Sequence, residues 1–78
     1  MSTIRLTWQP VLGAVSYNIY NKQIPGLSVA FSPLLANTIQ TTYDHTGLTP
    51  GTHEYYIIAA VGPNGEIGPP SVEIGFTA

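Results

Sequence analysis

The sequence predicts an all-β protein, folded as an antiparallel β-sandwich of six to seven short strands. Apolar Ile4, Leu6 and Trp8 alternate with polar residues, which is the pattern of a half-buried strand. Glycine and proline residues separate the apolar segments at short intervals, as turns do between strands. No segment combines a helical period with helix caps. We therefore expect residues 1–78 to form a single all-β domain.

The strands follow one another with short connections. We expect them over residues 4–9, 16–21, 27–31, 38–44, 55–61 and 72–77. Pro10 ends the first strand because it has no N–H for a ladder. In the second strand, Tyr17 and Ile19 lie on one face. The chain from residue 34 is interpreted as a loop that leads into the fourth strand, where β-branched residues begin at Thr38.

The second half of the chain contains the most apolar segment. Residues 55–61 are apolar throughout, and their length and flanking glycine and proline residues predict a strand covered on both faces. The turn before it, at residues 47–51, holds one apolar residue, Leu48, which we expect to anchor it. Asn64 and Gly65 lie in a loop between prolines, consistent with a hairpin connection.

Charged residues are scarce, which limits the classes of partner. The chain has two basic and four acidic residues, or 8% charged, against about 25% in a typical soluble domain. Two basic residues cannot form the stripe that follows a phosphate backbone, so nucleic acid is not expected as a partner. The absence of cysteine excludes disulfides and cysteine-based metal sites. No signal-peptide pattern is seen, and no apolar run is long enough to span a membrane.

Several segments, in this order, resemble a fibronectin type III domain. The matching segments are residues 6–10 with Trp8 as the core tryptophan, 17–20, 41–52, 60–65 and 71–74. The resemblance extends over residues 4–77. It implies a fibronectin type III or immunoglobulin-like sandwich of the bacterial or phage type, in which Trp8 and Tyr17 belong to the core.

The chain departs from this family at its first strand. Family members have a strand A before the tryptophan strand, and only three residues precede Ile4 here, so strand A is predicted to be short or missing. Residues 4–9 would then form a sheet edge with unpaired backbone groups, open to a strand from another chain. The alternatives are that residues 1–3 or a loop cover the edge, or that a short edge has no effect.

A second departure concerns the corner tyrosine of the family. Counting along the pattern places Glu54 at that position, followed by Tyr55 and Tyr56. Either a bulge moves Tyr55 into the corner, or the corner hydrogen bond is lost. We expect the bulge, because burying an unpaired glutamate is costly.

The titratable residues do not form a catalytic set. Asp44 and His45 are adjacent, as are His53 and Glu54, but neighbours on a strand point to opposite faces. The turn at residues 48–51 could bring the two histidines together, yet a metal would need a third ligand. No cysteine or nucleophile-elbow serine is present. We predict no catalysis, no metal site and no cofactor.

Seven residues are candidates for binding a partner protein. They are Ile4, Arg5, Thr7, Tyr20, Tyr43, Pro63 and Asn64. The first three lie on the predicted edge strand. Both tyrosines are predicted to point outward, where tyrosine adds contact area at little entropic cost; cross-strand packing is the alternative. Pro63 stiffens its loop and lowers the entropy cost of a contact, whereas the alternative is a plain connection.

These observations predict a non-catalytic structural or interaction module held by protein–protein contacts, with self-association as one form of contact. The setting that the resemblance and the low charge favour is a virion, where the chain would be a phage capsid decoration, tail or fibre component. The alternative is a spacer or accessory module of a bacterial extracellular enzyme or adhesin. The predicted location is accordingly the virion or the extracellular space.

Overall fold

The computed structural model describes residues 1–26, 32–71 and 73–78. Seven strands lie in these ranges: β1 Ser2–Thr7, β2 Ser16–Lys22, β3 Leu34–Thr38, β4 Thr42–Leu48, β5 His53–Val61, β6 Ile67–Pro70 and β7 Ile74–Thr77. None of the described residues forms a helix, and hence none forms a helix that could cross a membrane. The predicted all-β class is confirmed.

The strands form two antiparallel sheets of unequal size. The smaller sheet contains β1 and β4. The larger sheet has the order β3-β2-β5-β6, and β7 also pairs with β5. Strand β5 therefore pairs with β2 along one side, and on the other side with β7 near its beginning and with β6 near its end. This is the predicted sandwich, with two strands facing five.

The main core lies between the two sheets. It consists of the buried residues Ile4, Leu6, Tyr17, Ile19, Leu48, Tyr56 and Ile58. Alternate residues of β1 and β2 supply it, as period two requires. Trp8 is half-buried against this core, with its ring edge-on to Tyr17 at a centroid distance of 5.6 Å. The predicted core roles of Trp8 and Tyr17 and the anchoring role of Leu48 are confirmed.

A second buried cluster lies on the opposite face of the larger sheet. It contains Tyr20, Ile57 and Ala59, which alternate along β2 and β5 with the residues of the main core. Strand β5 is therefore buried on both faces, as its apolar sequence predicted.

Several predicted strand boundaries were wrong, among them the first strand, predicted over 4–9 and observed over Ser2–Thr7. Residues 34–38, interpreted as a loop, form β3, which pairs with β2. The strand expected over 38–44 begins instead at Thr42 and ends at Leu48. Pro69 and Pro70, assigned to a loop, belong to β6, which can hold prolines because edge strands leave N–H groups unused. The strand predicted at 27–31 and the position of Val72 lie outside the described residues.

Candidate functional site

Strand β1 has an open edge. Among the described residues it pairs only with β4. The Trp8 N–H donates to the Thr41 carbonyl at 3.0 Å. Because backbone groups alternate in direction along a strand, those of Leu6 and Ile4 also face β4. Those of Arg5 and Thr7 consequently point away from β4. In the part of the chain that the structure describes, the smaller sheet therefore ends at β1.

An apolar cleft continues from the end of this edge. It has a volume of about 320 Å³ and runs between Trp8 and β6. Its walls include Trp8, Val11, Tyr17, Ile58, Ala60 and residues 69–71. Every residue that lines it is uncharged. Strand β4 contributes none of them, so the cleft lies on the open side of β1.

Hydrogen bonds hold both walls of the cleft in place. The Val11 N–H donates to the Tyr17 hydroxyl at 2.9 Å, which fixes the chain after β1. On the opposite wall, the Ser71 N–H donates to the Ile58 carbonyl at 2.7 Å, and the Ile58 N–H donates to Ser71 Oγ at 2.9 Å. These hydrogen bonds fix both walls of the cleft to the core strands β2 and β5.

One polar atom beside the cleft lacks a partner. Trp8 Nε1 is buried and makes no hydrogen bond in the described part of the chain. A buried donor of this kind costs free energy until it finds an acceptor.

Strand β7 carries exposed apolar residues on its inner face. Ile74 and Phe76 are 42% and 39% exposed, although they pair with the buried Tyr56 and Glu54 and therefore share their face. The Phe76 ring meets that of Tyr56 edge-on at a centroid distance of 6.2 Å. In the described ranges the facing sheet has two strands, and it leaves this part of the larger sheet uncovered.

A polar cluster lies at the beginning of β5. Glu54 is 1% exposed, and its carboxylate accepts hydrogen bonds from Asn21 Nδ2 at 3.1 Å and from Gln23 Nε2 at 3.0 Å. The pairing of β5 with β7 is regular through this position, and its pairing with β2 is regular up to Tyr55. The predicted bulge that would place Tyr55 in the corner was therefore wrong, because the two amides satisfy the buried carboxylate.

Tyr56 is the next inward residue of β5. Its hydroxyl shares a hydrogen bond of 2.6 Å with His45 Nδ1. Burial first, and then the negative charge of Glu54, raise the pKa of Tyr56 to about 12. The hydroxyl thus stays protonated at physiological pH and serves the packing of the two sheets.

The structure separates the candidates predicted on the edge strand. Arg5 and Thr7 are exposed, and Arg5 forms a bidentate ion pair with Asp44 on β4 at 2.7 and 3.0 Å. This pairing lowers the pKa of Asp44 through the hydrogen bond from Arg5. Ile4 is buried, and its backbone groups face β4, so its assignment to the open edge was wrong.

The predicted exposure of the two tyrosines was also wrong, although Tyr20 does lie on the outer face of the larger sheet. Tyr20 is only 4% exposed, in the second buried cluster. Tyr43 is half-buried and pairs with Leu6, so that it faces the core. Both tyrosines follow the alternative of ordinary packing, since their side chains are covered by the chain itself.

Pro63 and Asn64 are exposed in a tight turn, closed by the hydrogen bond from the Gly65 N–H to the Gly62 carbonyl at 3.0 Å. Pro63 lies in a shallow groove next to Val11 that adjoins the cleft. The structure thus brings Pro63 near the open side of the sandwich.

The sequence reasoning missed most of the cleft. Its missed residues are Val11, Ile58, Ala60, Pro69, Pro70 and Ser71, together with the exposed Ile74 and Phe76 on β7. A signal for two of them was present, because Pro69 and Pro70 were recognised as stiff residues. Their position opposite Trp8 depends on contacts between distant segments.

The histidines do not converge. His45 contacts Tyr56, and His53 Nδ1 lies 3.1 Å from Thr77 Oγ1. In the ranges that the structure describes, no three histidine, aspartate or glutamate side chains are grouped as metal ligands would be.

Comparison with known proteins identifies solved structures that are similar to this chain. No protein-family model and no curated protein matches the chain. Among solved structures, an Fn3-like protein from Clostridium thermocellum is similar at 34% identity and a TM-score of 0.81, over 94% of this chain and 73% of that one. A structure named FN3tt mut is similar at 29% identity and a TM-score of 0.67, over 97% of this chain and 74% of that one.

Proposed function

Since the chain belongs to the fibronectin type III-like family, whose fold typically serves in non-catalytic modules, we propose that it is a protein-binding structural module. One observation carries this proposal: the open edge of β1 continues into an uncharged apolar cleft. Both features favour contact with another protein.

The open edge lacks most of the devices that normally prevent association. Natural edge strands carry charges, prolines or bulges that turn neighbours away. Here Arg5 is the only charged residue of β1, and Asp44 on the same sheet already neutralises it. The register shift in β1 falls between Ser2 and Ile4, away from Arg5 and Thr7. An edge of this kind is suited to stable contact inside an assembly.

A virion is the setting that we propose for this assembly, where the module would be a phage capsid decoration, tail or fibre component. Support comes from the low charge of the chain, because weakly charged surfaces associate readily. Exposed apolar residues in loops and strands, among them Leu12, Ile39 and Phe76, add contact area. The location would then be the virion or the extracellular space.

A second candidate is a spacer or accessory module of a bacterial extracellular enzyme or adhesin. The similarity to an Fn3-like protein from Clostridium thermocellum favours it, because this solved relative comes from a bacterium. In this setting the open edge would contact the neighbouring domain of the same polypeptide.

Native fractionation distinguishes the two settings. An antibody raised against the purified 78-residue chain would be applied to density-gradient fractions of the source culture, with denaturing electrophoresis of each reactive fraction. Co-sedimentation with particles, as an 8.3 kDa band, supports the virion setting. Reactivity in a much larger secreted polypeptide supports the spacer. A chain found only as a free monomer contradicts the proposed function.

A further inference from the structure

We propose, building on the function proposed above, that this site binds one extended β-strand from a different protein chain. The incoming strand is uncharged, pairs with Arg5 and Thr7 on the open edge of β1, and inserts apolar side chains into the cleft beside Trp8.

The backbone of β1 defines the first requirement. Arg5 and Thr7 present two N–H donors and two carbonyl acceptors away from β4, two residues apart. This spacing is the repeat of a β-ladder, in which alternate residues bond to the same neighbour. An extended peptide backbone satisfies all four groups at once, whereas a helix has no free backbone groups except at its ends.

The cleft defines the side chains of the incoming strand. Its lining is uncharged, so a charged side chain would lose its hydration there without gaining a partner. The buried Trp8 Nε1 has no acceptor in the described ranges, and a carbonyl of an adjacent strand supplies one. The exposed faces of Ile74 and Phe76 extend the apolar surface along β7. Apolar residues at every second position therefore fit this site.

The unequal sheets favour a single strand over a second copy of this chain. Strands in a sheet lie about 4.7–4.9 Å apart, so the uncovered surface beyond β1 has room for another strand. A second copy could not offer its own β1 alone. Its five-stranded sheet would accompany that strand and would need space beside β6 and β7 of the first copy, whereas a single strand needs only the width of one strand.

Amide hydrogen exchange of the unmodified chain is the first test. We expect the amides of Arg5 and Thr7 to exchange rapidly at every protein concentration, while the Leu6 amide, bonded to β4, is protected. Slow exchange of Arg5 and Thr7 at all concentrations would show that the chain covers its own edge. Slow exchange only at high concentration would show a second copy there. Either result overturns the proposal.

A tethered probe is the second test. The strand Thr-Val-Thr-Val-Thr-Val is joined to the N-terminus by a flexible Gly/Ser linker, which gives an effective concentration on the order of millimolar. We expect exchange at Arg5 and Thr7 to slow by roughly tenfold or more relative to the same tether with proline at each valine. Fluorescence of Trp8, the single tryptophan, should shift in parallel. No difference between the two tethers overturns the proposal.

Two matched variants locate the probe in the cleft. Val11 lines the cleft and Val15 does not, yet their exposed fractions are 52% and 53%. We expect Val11→Glu to weaken the protection by the tethered strand and Val15→Glu to leave it unchanged. Equal effects would overturn insertion into the cleft. If particles or an enzyme still co-sediment with the chain while these tests fail, the strand proposal fails and the proposed function stands.

Discussion

Asn21 donates a hydrogen bond to the buried carboxylate of Glu54 at 3.1 Å, across strands β2 and β5. The same Asn21 amide lies 3.1 Å from the Tyr55 carbonyl. Gln23 completes the cluster on the second carboxylate oxygen. A glutamate that is 1% exposed is thus stabilised by two neutral amides, without a basic residue.

This cluster predicts a large effect for a small substitution. Asn21→Ala leaves the Glu54 carboxylate buried with one fewer donor, and we expect a loss of about 1.5–3 kcal/mol in the free energy of unfolding, since hydrogen bonds to charged groups are worth that much. Urea denaturation measures it. The matched control is Asn37→Ala, which removes exposed bonds to Ser16 and Asn18 and should cost less than about 1 kcal/mol. Equal losses would contradict the importance of Glu54.

Tyr56 predicts a loss of stability at alkaline pH. Its pKa in the folded chain is raised to about 12, whereas an unfolded tyrosine titrates near 10. Below pH 10 both states hold the proton. As the pH rises from 10 to 12 the unfolded state loses it first, so stability falls through this window. Thermal melts between pH 8 and 12 measure the fall.

The Tyr56→Phe variant is the control for this window. It lacks the titrating hydroxyl, so its melting temperature should fall less between pH 10 and 12. At neutral pH it should be destabilised by about 0.5–1.5 kcal/mol, because the bond to His45 is lost. Parallel pH profiles for the two proteins would assign the alkaline transition to another group.

Gly51 predicts a backbone effect in the turn before β5. Its φ angle is +91°, and its N–H donates to the Ala78 carbonyl at 2.7 Å. Alanine in this left-handed region is strained, so Gly51→Ala should destabilise the chain by about 1–2 kcal/mol. Gly68→Ala is the control, because a Cβ there meets only the Ala60 carbonyl at 3.5 Å. A melt that shifts equally for both variants would refute the role of the turn.

The Arg5–Asp44 pair predicts a small, salt-dependent contribution. The pairing lowers the pKa of Asp44, so its contribution is present above the unfolded value of 3.8 and is lost as pH falls through the folded value. The pair is exposed, and salt should screen it. A double-mutant cycle with Arg5→Gln and Asp44→Asn should give a coupling that shrinks in high salt. A coupling independent of salt would contradict this.

The fold class could be predicted from the sequence because the alternation of apolar and polar residues indicates which side of a strand is buried. Alternation placed Ile4, Leu6 and Trp8 on one face of a half-buried strand, and the apolar run at residues 55–61 predicted the strand buried on both faces. Composition likewise indicated a domain with little charge. These properties depend on residues that are close together in the sequence, so the sequence alone is enough to predict them.

The tertiary structure alone decided which distant residues meet. Glu54 could be buried because Asn21, 33 residues earlier, lies on the adjacent strand. Tyr20, predicted to be exposed, is buried because Ile57 lies next to it across the β2–β5 pair. The cleft joins Trp8 to residues 69–71 only when the small sheet stops at β1. Local periodicity specifies the face of a strand, but its partner is set by the packing of the whole sandwich.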